Sequence, residues 1–207
     1  MFKDRTEAGL LLAGALRDRV STGALVVGVP RGGVVVAAEV ARILGLELDV
    51  VVVRKLGAPG SPEYAIGAVD EEGVTIGGRA GLADDAYLAR ESALVREEIN
   101  RRIHVYRGTR PPALLTAREV VLVDDGIATG MTLVAAVQSL RRRGAFRIIV
   151  AAPVAAPEAA RALKELADDV VVLEQPPLFD AVGRFYREFG QTTDTEVIRL
   201  LDEAWSR

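Results

Sequence analysis

Apolar residues recur along this chain in two alternating rhythms. Residues 7–19 carry them at helical spacing and run out near Thr22-Gly23, which predicts a helix. Residues 24–29 form a short apolar run that ends in Pro30-Arg31-Gly32-Gly33, and 34–44 return to helical spacing with Gly45 as the stop. Residues 48–53 are an unbroken, β-branched run, the pattern of a strand buried on both faces. Residues 58–63 (APGSPE) read as loop, and short strands near 66–69 and 74–76 flank a hairpin signal at Asp70-Glu71-Glu72-Gly73. A long charged helix is predicted over 84–106, then a strand at 120–123 and a helix at 130–143 closed by Gly144. Strands at 147–152, broken by Pro153, and at 169–173 bracket a helix at 157–167. A tail with Phe179, Phe185, Tyr186 and Phe189 leads to Gly190-Gln191-Thr192-Thr193-Asp194 and a last helix over 194–205.

Buried strands alternating with helices predict an α/β fold, a parallel sheet wrapped by helices on both faces. Ligands of such sheets collect at the carboxyl ends of strands where the winding direction switches. The loops to weigh are therefore those after Val29 and Val123.

Composition narrows the chemistry. The 207 residues are 50% hydrophobic and 27% charged, which suits one soluble domain or a domain with a small appendage. The net charge of −3 argues against a nucleic-acid partner. With no cysteine and a single histidine, His104, thiolate metal sites, cysteine nucleophiles and histidine-rich metal sites are excluded. His104 itself falls in the charged helix and is read as exposed and without function. No segment has the roughly 18–20 apolar residues of a membrane helix, nor a secretory signal, so no membrane partner and a cytoplasmic location are expected.

After Val123 the chain reads Asp124-Asp125-Gly126-Ile127-Ala128-Thr129-Gly130-Met131-Thr132. Helix-start amides and the hydroxyls of Thr129 and Thr132 make a receptor for a phosphate monoester, because unpaired N–H groups and the helix dipole both favour an anion. Asp124 and Asp125 would repel that phosphate and instead accept hydrogen bonds from the vicinal hydroxyls of a sugar. A phosphate cradle beside a diol holder describes a ribose phosphate site; a strand end with an acidic helix cap is the plainer alternative. After Val29, Gly28 and Gly33 have P-loop spacing, but Val34 and Val35 stand where Lys and Ser/Thr are required, which rejects a P-loop. Arg54-Lys55 at the end of the 48–53 run suits an anionic substrate or an exposed strand end, and Lys55 is one of three lysines in the chain.

The run VVLVDDGIATGMT, residues 120–132, resembles the phosphoribosyl pyrophosphate signature of type I phosphoribosyltransferases. Gly126 departs from the aliphatic residue usual there, and Ala128 resembles adenine-type members rather than those with an aspartate base. The resemblance covers residues of about 24–173 and implies transfer of ribose 5-phosphate from phosphoribosyl pyrophosphate to a nitrogenous base, releasing pyrophosphate. It assigns residues 126–132 (Gly126, Ile127, Ala128, Thr129, Gly130, Met131, Thr132) to the 5-phosphate and Asp124 and Asp125 to the ribose. Arg31, Gly32, Gly33 and Lys55 go to the pyrophosphate. The VRKLGAP run is similar to the start of a mobile hood loop, so APGSPE becomes a lid, with Lys55 and Glu63 as candidate catalytic groups. Magnesium is implied as Mg2+ bound through the substrate rather than by direct protein ligands. The 207 residues then form one domain, with a core of about 24–173, a hood from 1–23 and 174–207, and a helical insertion of about 84–110 that has no assigned task. Its six arginines are read as a solvated face, with subunit contact or phosphate attraction as alternatives. The aromatic tail would stack a base or pack the core. A homodimer stays open, since family members commonly dimerise. The rival to an enzyme is a regulatory protein that binds the same donor or a nucleotide without turnover, and a hydrolase releasing pyrophosphate to water is a weaker third.

Overall fold

A computed structural model of the chain describes residues 1–76 and 83–206, and the backbone alone for 62–65 and 74–76. In chain order the elements are α1 (Arg5–Leu16), β1 (Leu25–Gly28), α2 (Gly32–Leu44), β2 (Glu47–Val50), β3 (Arg54–Ala58), β4 (Ser61–Val69) and β5 (Val74–Ile76). There follow α3 (Asp85–Arg107), β6 (Glu119–Val123), α4 (Met131–Arg142), β7 (Arg147–Val154), α5 (Pro157–Lys164), β8 (Asp169–Glu174) and α6 (Asp194–Trp205).

Five strands form one parallel sheet in the order β2-β1-β6-β7-β8. Alternate side chains feed two cores, as the period of a strand requires. Val26, Val121 and Ile149 pack with α1, α2, α3 and α6 on one face; Leu25, Val27, Leu122 and Val150 pack with α4 and α5 on the other. The chain leaves β1 for β2 on one side and resumes at β6 on the other. The switch point therefore lies between β1 and β6, and both loops flagged by the sequence open there.

Several boundaries differ from the sequence reading. The 48–53 run leaves the sheet after Val50, although Val51, Val52 and Val53 stay buried. Pro153 does not break β7, because it lies past the last pair with β6, Val123↔Ala151, where β7 pairs onward with the edge strand β8. The 58–63 segment is not an extended loop. Pro59 and Gly60 alone make a tight turn, Gly60 at φ 71°, between antiparallel β3 and β4, and Glu63 lies within β4. β5 completes this three-stranded sheet, with the expected hairpin at 70–73, where Asp70 Oδ1 accepts from the amides of Glu72 and Gly73.

Three arginines hold that hairpin to the rest of the protein. Arg107, at the end of α3, donates to Glu71 Oε2 at 2.6 Å, to Asp49 Oδ1 at 2.9 Å and to the Val50 carbonyl at 2.6 Å. Arg142 pairs with Asp70, and Arg143 Nε lies 3.8 Å from Glu72. The Arg107 side chain is only 1% exposed, so the α3 segment is not merely a solvated face. Ile99 and Tyr106 of α3 also enter the core. The remaining arginines follow the expectation better: Arg101 and Arg102 both bind Glu98 and hold its carboxyl down at about 2.

The two ends of the chain meet. Phe2 exchanges backbone bonds with Phe185 and Arg187, and its ring lies 5.5 Å from that of Tyr186. Among the described residues no helix is long and apolar enough to cross a membrane.

Candidate active site

The acidic pair sits where β6 ends. The Asp124 amide donates to the Ala151 carbonyl at 3.2 Å, which continues the parallel ladder one residue past the strand. Its Oδ1 then accepts from the Asp125 amide at 2.9 Å and turns the chain. Gly126 follows because the tail passes over it: a Cβ here would run into Val182. Ile127 re-enters the core, its amide donating to the Val154 carbonyl and its carbonyl accepting from the Ala156 amide. Both backbone groups of Ile127 are thereby paired, which anchors the loop to β7 and the residues after it.

From Ala128 the loop opens outward. Ala128, Thr129, Met131 and Thr132 are exposed, and Gly130 takes φ 74° to start α4 with no side chain capping it. The first amides of α4 thus face a cleft of about 160 Å³ bounded by Asp124 and residues 126–133. This is the geometry of an anion receptor: helix amides without a side-chain cap, aligned with the dipole, ringed by small hydroxylated residues.

The Pro30-Arg31-Gly32-Gly33 turn closes against the same strand end. Its Pro30–Arg31 peptide bond is cis. Val29 donates to the Val123 carbonyl at 2.9 Å. A Cβ on Gly33 would come within 2.8 Å of Asp124 Cα and 2.9 Å of the Val123 carbonyl oxygen, and one on Gly32 within 2.7 Å of Asp125 Cγ. The two glycines therefore let the loops touch. Arg31, 36% exposed, points Nη1 toward Asp194 Oδ1 at 4.0 Å. It lines a second cleft, of about 440 Å³, with Arg5, Gly32, Asp125, Phe189 and Gln191.

The sequence reading missed Arg5. Its Nε donates to Asp125 Oδ2 at 2.7 Å across 120 positions, and no local signal predicts such a pair. Tyr186, already noted for its ring, donates its hydroxyl to the Asp125 carbonyl at 2.6 Å. Lys55, exposed on β3, lines neither cleft, and the Glu63 side chain lies outside the described residues.

Burial pushes the Asp124 carboxyl well above the ordinary range, and the neighbouring Asp125 charge pushes it further. Burial raises Asp125 as well, against the pull of Arg5. A raised folded value means that Asp124 favours folding at acid pH and that this contribution disappears as pH rises through its titration. Asp124→Asn keeps the acceptor for the Asp125 amide and removes the charge. It is expected to stabilise the protein at pH 7 by about 1 kcal/mol, with the gain vanishing near pH 4. Thermal melts of both proteins at the two pH values check this.

An uncapped helix start beside a half-buried acid pair, both at a switch point, lies inside a segment that matches a known family. The phosphoribosyl transferase domain matches residues 9–186. This chain belongs to that family. The crystal structure of TT1426 from Thermus thermophilus superposes on this phosphoribosyl transferase domain with a TM-score of 0.90, at 50% identity over 98% of each chain. A Mycobacterium tuberculosis protein, provisionally named a phosphoribosyl transferase, is 44% identical over 213 residues, which are 99% of this chain and 47% of the relative. A uracil phosphoribosyltransferase of Lactobacillus gasseri is 35% identical over 104 residues, 49% of each chain. The phosphoribosyl transferase domain described here thus spans about half the length of the curated relatives it matches.

Proposed function

We propose that this chain transfers ribose 5-phosphate from phosphoribosyl pyrophosphate to a nitrogenous base, releasing pyrophosphate. The observation that carries the proposal is the α4 amino end, uncapped by any side chain and opening onto a small cleft that Asp124 borders. In this reading the amides at the start of α4, with Thr129 and Thr132, hold the 5-phosphate. Asp124 and Asp125 accept hydrogen bonds from the ribose hydroxyls. Arg31 supplies a forked cation to the pyrophosphate. Held in this way the donor can ionise toward an oxocarbenium-like state, and catalysis comes from positioning and from stabilising the departing charge.

Lys55 and Glu63 stand on the two strands of the β3–β4 hairpin, and the proposal gives them work on the pyrophosphate and the acceptor when that hairpin closes over bound donor. Magnesium would enter bound to the donor's own oxygens, with Asp124 and Asp125 helping only indirectly through the ribose. Among the described residues no three acidic or histidine side chains gather to hold an ion, so it would take its ligands from donor oxygens and water and would neutralise the leaving group.

Incubation with phosphoribosyl pyrophosphate, magnesium and a pooled panel of purine and pyrimidine bases tests the proposal. A new mononucleotide together with pyrophosphate is the expected result and names the acceptor. Donor binding without turnover would overturn the transferase in favour of a sensor of the same ligand. Pyrophosphate without a nucleotide would indicate a hydrolase.

A further inference from the structure

Asp125 is a half-buried carboxylate whose neighbours on its own loop make it worse placed, since Asp124 precedes it. What offsets that position comes from far away in the chain. Arg5, on the first turn of α1, donates Nε to Asp125 Oδ2 at 2.7 Å. The two side chains are 12% and 15% exposed, so the pair is little weakened by solvent.

Arg5 is itself held on two further sides. Its Nη1 donates to the Gly190 carbonyl at 2.8 Å, and its guanidinium lies 3.9 Å from the centre of the Phe189 ring. Gly32 seals the arrangement, since a Cβ there would stand 2.8 Å from Arg5 Nε and overlap Asp125. Three segments distant in sequence thus converge on one carboxylate: the start of α1, the turn before α2, and the tail before α6.

A planar, fully tethered guanidinium does two things to Asp125. It favours the ionised, hydrogen-bond-accepting form against the upward push of burial, and it occupies Oδ2 so that Oδ1 is left for another donor. A lysine in the same place would supply charge without the fork or the stack. We infer that Arg5 is a positioning residue for the donor site: it orients Asp125 to accept from the ribose diol and ties that orientation to the tail. The inference rests on the reading of Asp125 as a ribose holder.

The test separates action through Asp125 from mere scaffolding. Affinity for phosphoribosyl pyrophosphate is measured by calorimetry in wild type, R5M, D125N and R5M/D125N, with R5K standing in if R5M does not fold. A charged hydrogen bond of this kind corresponds to a loss of about 10-fold to 100-fold for R5M against wild type. In the D125N background the same substitution should cost almost nothing. R5K should lose less than R5M and likewise be silent on D125N. An equal loss in both backgrounds would overturn the inference, as would no loss in either.

If wild type does not bind the donor at all, the proposed function falls, and the role of Arg5 is then decided without ligand. Asp125 is faced by Arg5 from α1, by Asp124 on its own loop and by the Tyr186 hydroxyl from the tail, with Arg31 across the same cleft. Of these Arg5 alone donates to its carboxylate among the described residues. A carbon-13 titration should therefore show the Asp125 carboxyl ionising at higher pH in R5M than in wild type. An unchanged titration would overturn the inference.

Discussion

Arg107→Met is expected to destabilise the protein by about 3–5 kcal/mol, the largest stability effect of any single change considered. The arginine is buried and serves four acceptors: both oxygens of Asp49, Oε2 of Glu71 and the Val50 carbonyl. Its loss would strand two carboxylates away from water, and Glu71 Oε1 already has no hydrogen-bond partner among the described residues. Among the described residues Asp49 would retain the amides of Val50 and Ala113 alone. Urea titration measures the loss, and the triple variant R107M/D49N/E71Q should regain most of it, because a buried pair removed whole costs far less than one half removed. Failure of that rescue would mean that the methylene stem of Arg107, rather than its charge, matters most. The functional consequence follows from geometry. Glu71 lies in the hairpin between β4 and β5, so loosening it frees the sheet that carries Lys55 and Glu63 from its seat on β2 and α3.

Gly33→Ala should cost about 1–3 kcal/mol and lower donor affinity on the order of 100-fold. The added methyl meets backbone, Asp124 Cα at 2.8 Å and the Val123 oxygen at 2.9 Å, which cannot swing aside as a side-chain tip can. The turn before α2 and the end of β6 must separate, which displaces both halves of the site together. Gly14→Ala provides the contrast. It lies in α1 with nothing within 4 Å of the added carbon, so alanine there should stabilise by about 0.5–1 kcal/mol and leave donor binding unchanged. Calorimetry and melting curves on the two variants check both. A G33A protein that binds like wild type would show that contact between the loops is not what shapes the donor site.

The loop after Val123 was legible because it is local. Asp124 to Thr132 is one strand end, one turn and one helix start, and each step follows from the preferences of adjacent residues. Even there the burial of Ile127 and its backbone bonds to Val154 and Ala156 depend on strands far along the chain. The second sheet was half legible. The Asp70 to Gly73 turn has a strong local signature, but β3 looked like the end of the 48–53 run and the start of a mobile hood loop. Its pairing with β4 depends on a two-residue turn hidden in a segment dense in proline and glycine. The α3 segment read as a solvated helix because Arg107 is chemically identical to the exposed arginines around it. Only the approach of Asp49 and Glu71 distinguishes it.

The sequence by itself determined the parallel sheet, its two-faced burial, the switch point and the strand-turn-helix loop after Val123. Each is written in the period of apolar residues or in the conformational demands of a few neighbours, and neither needs a distant partner. The tertiary structure decided which charges are paired. Arg5 with Asp125, Arg107 with Asp49 and Glu71, and Tyr106 with Asp194 join positions 120, 58, 36 and 88 residues apart. Charge attraction carries no signature of sequence spacing. Its strength depends on burial and on separation in space, and both exist only once the chain has closed on itself.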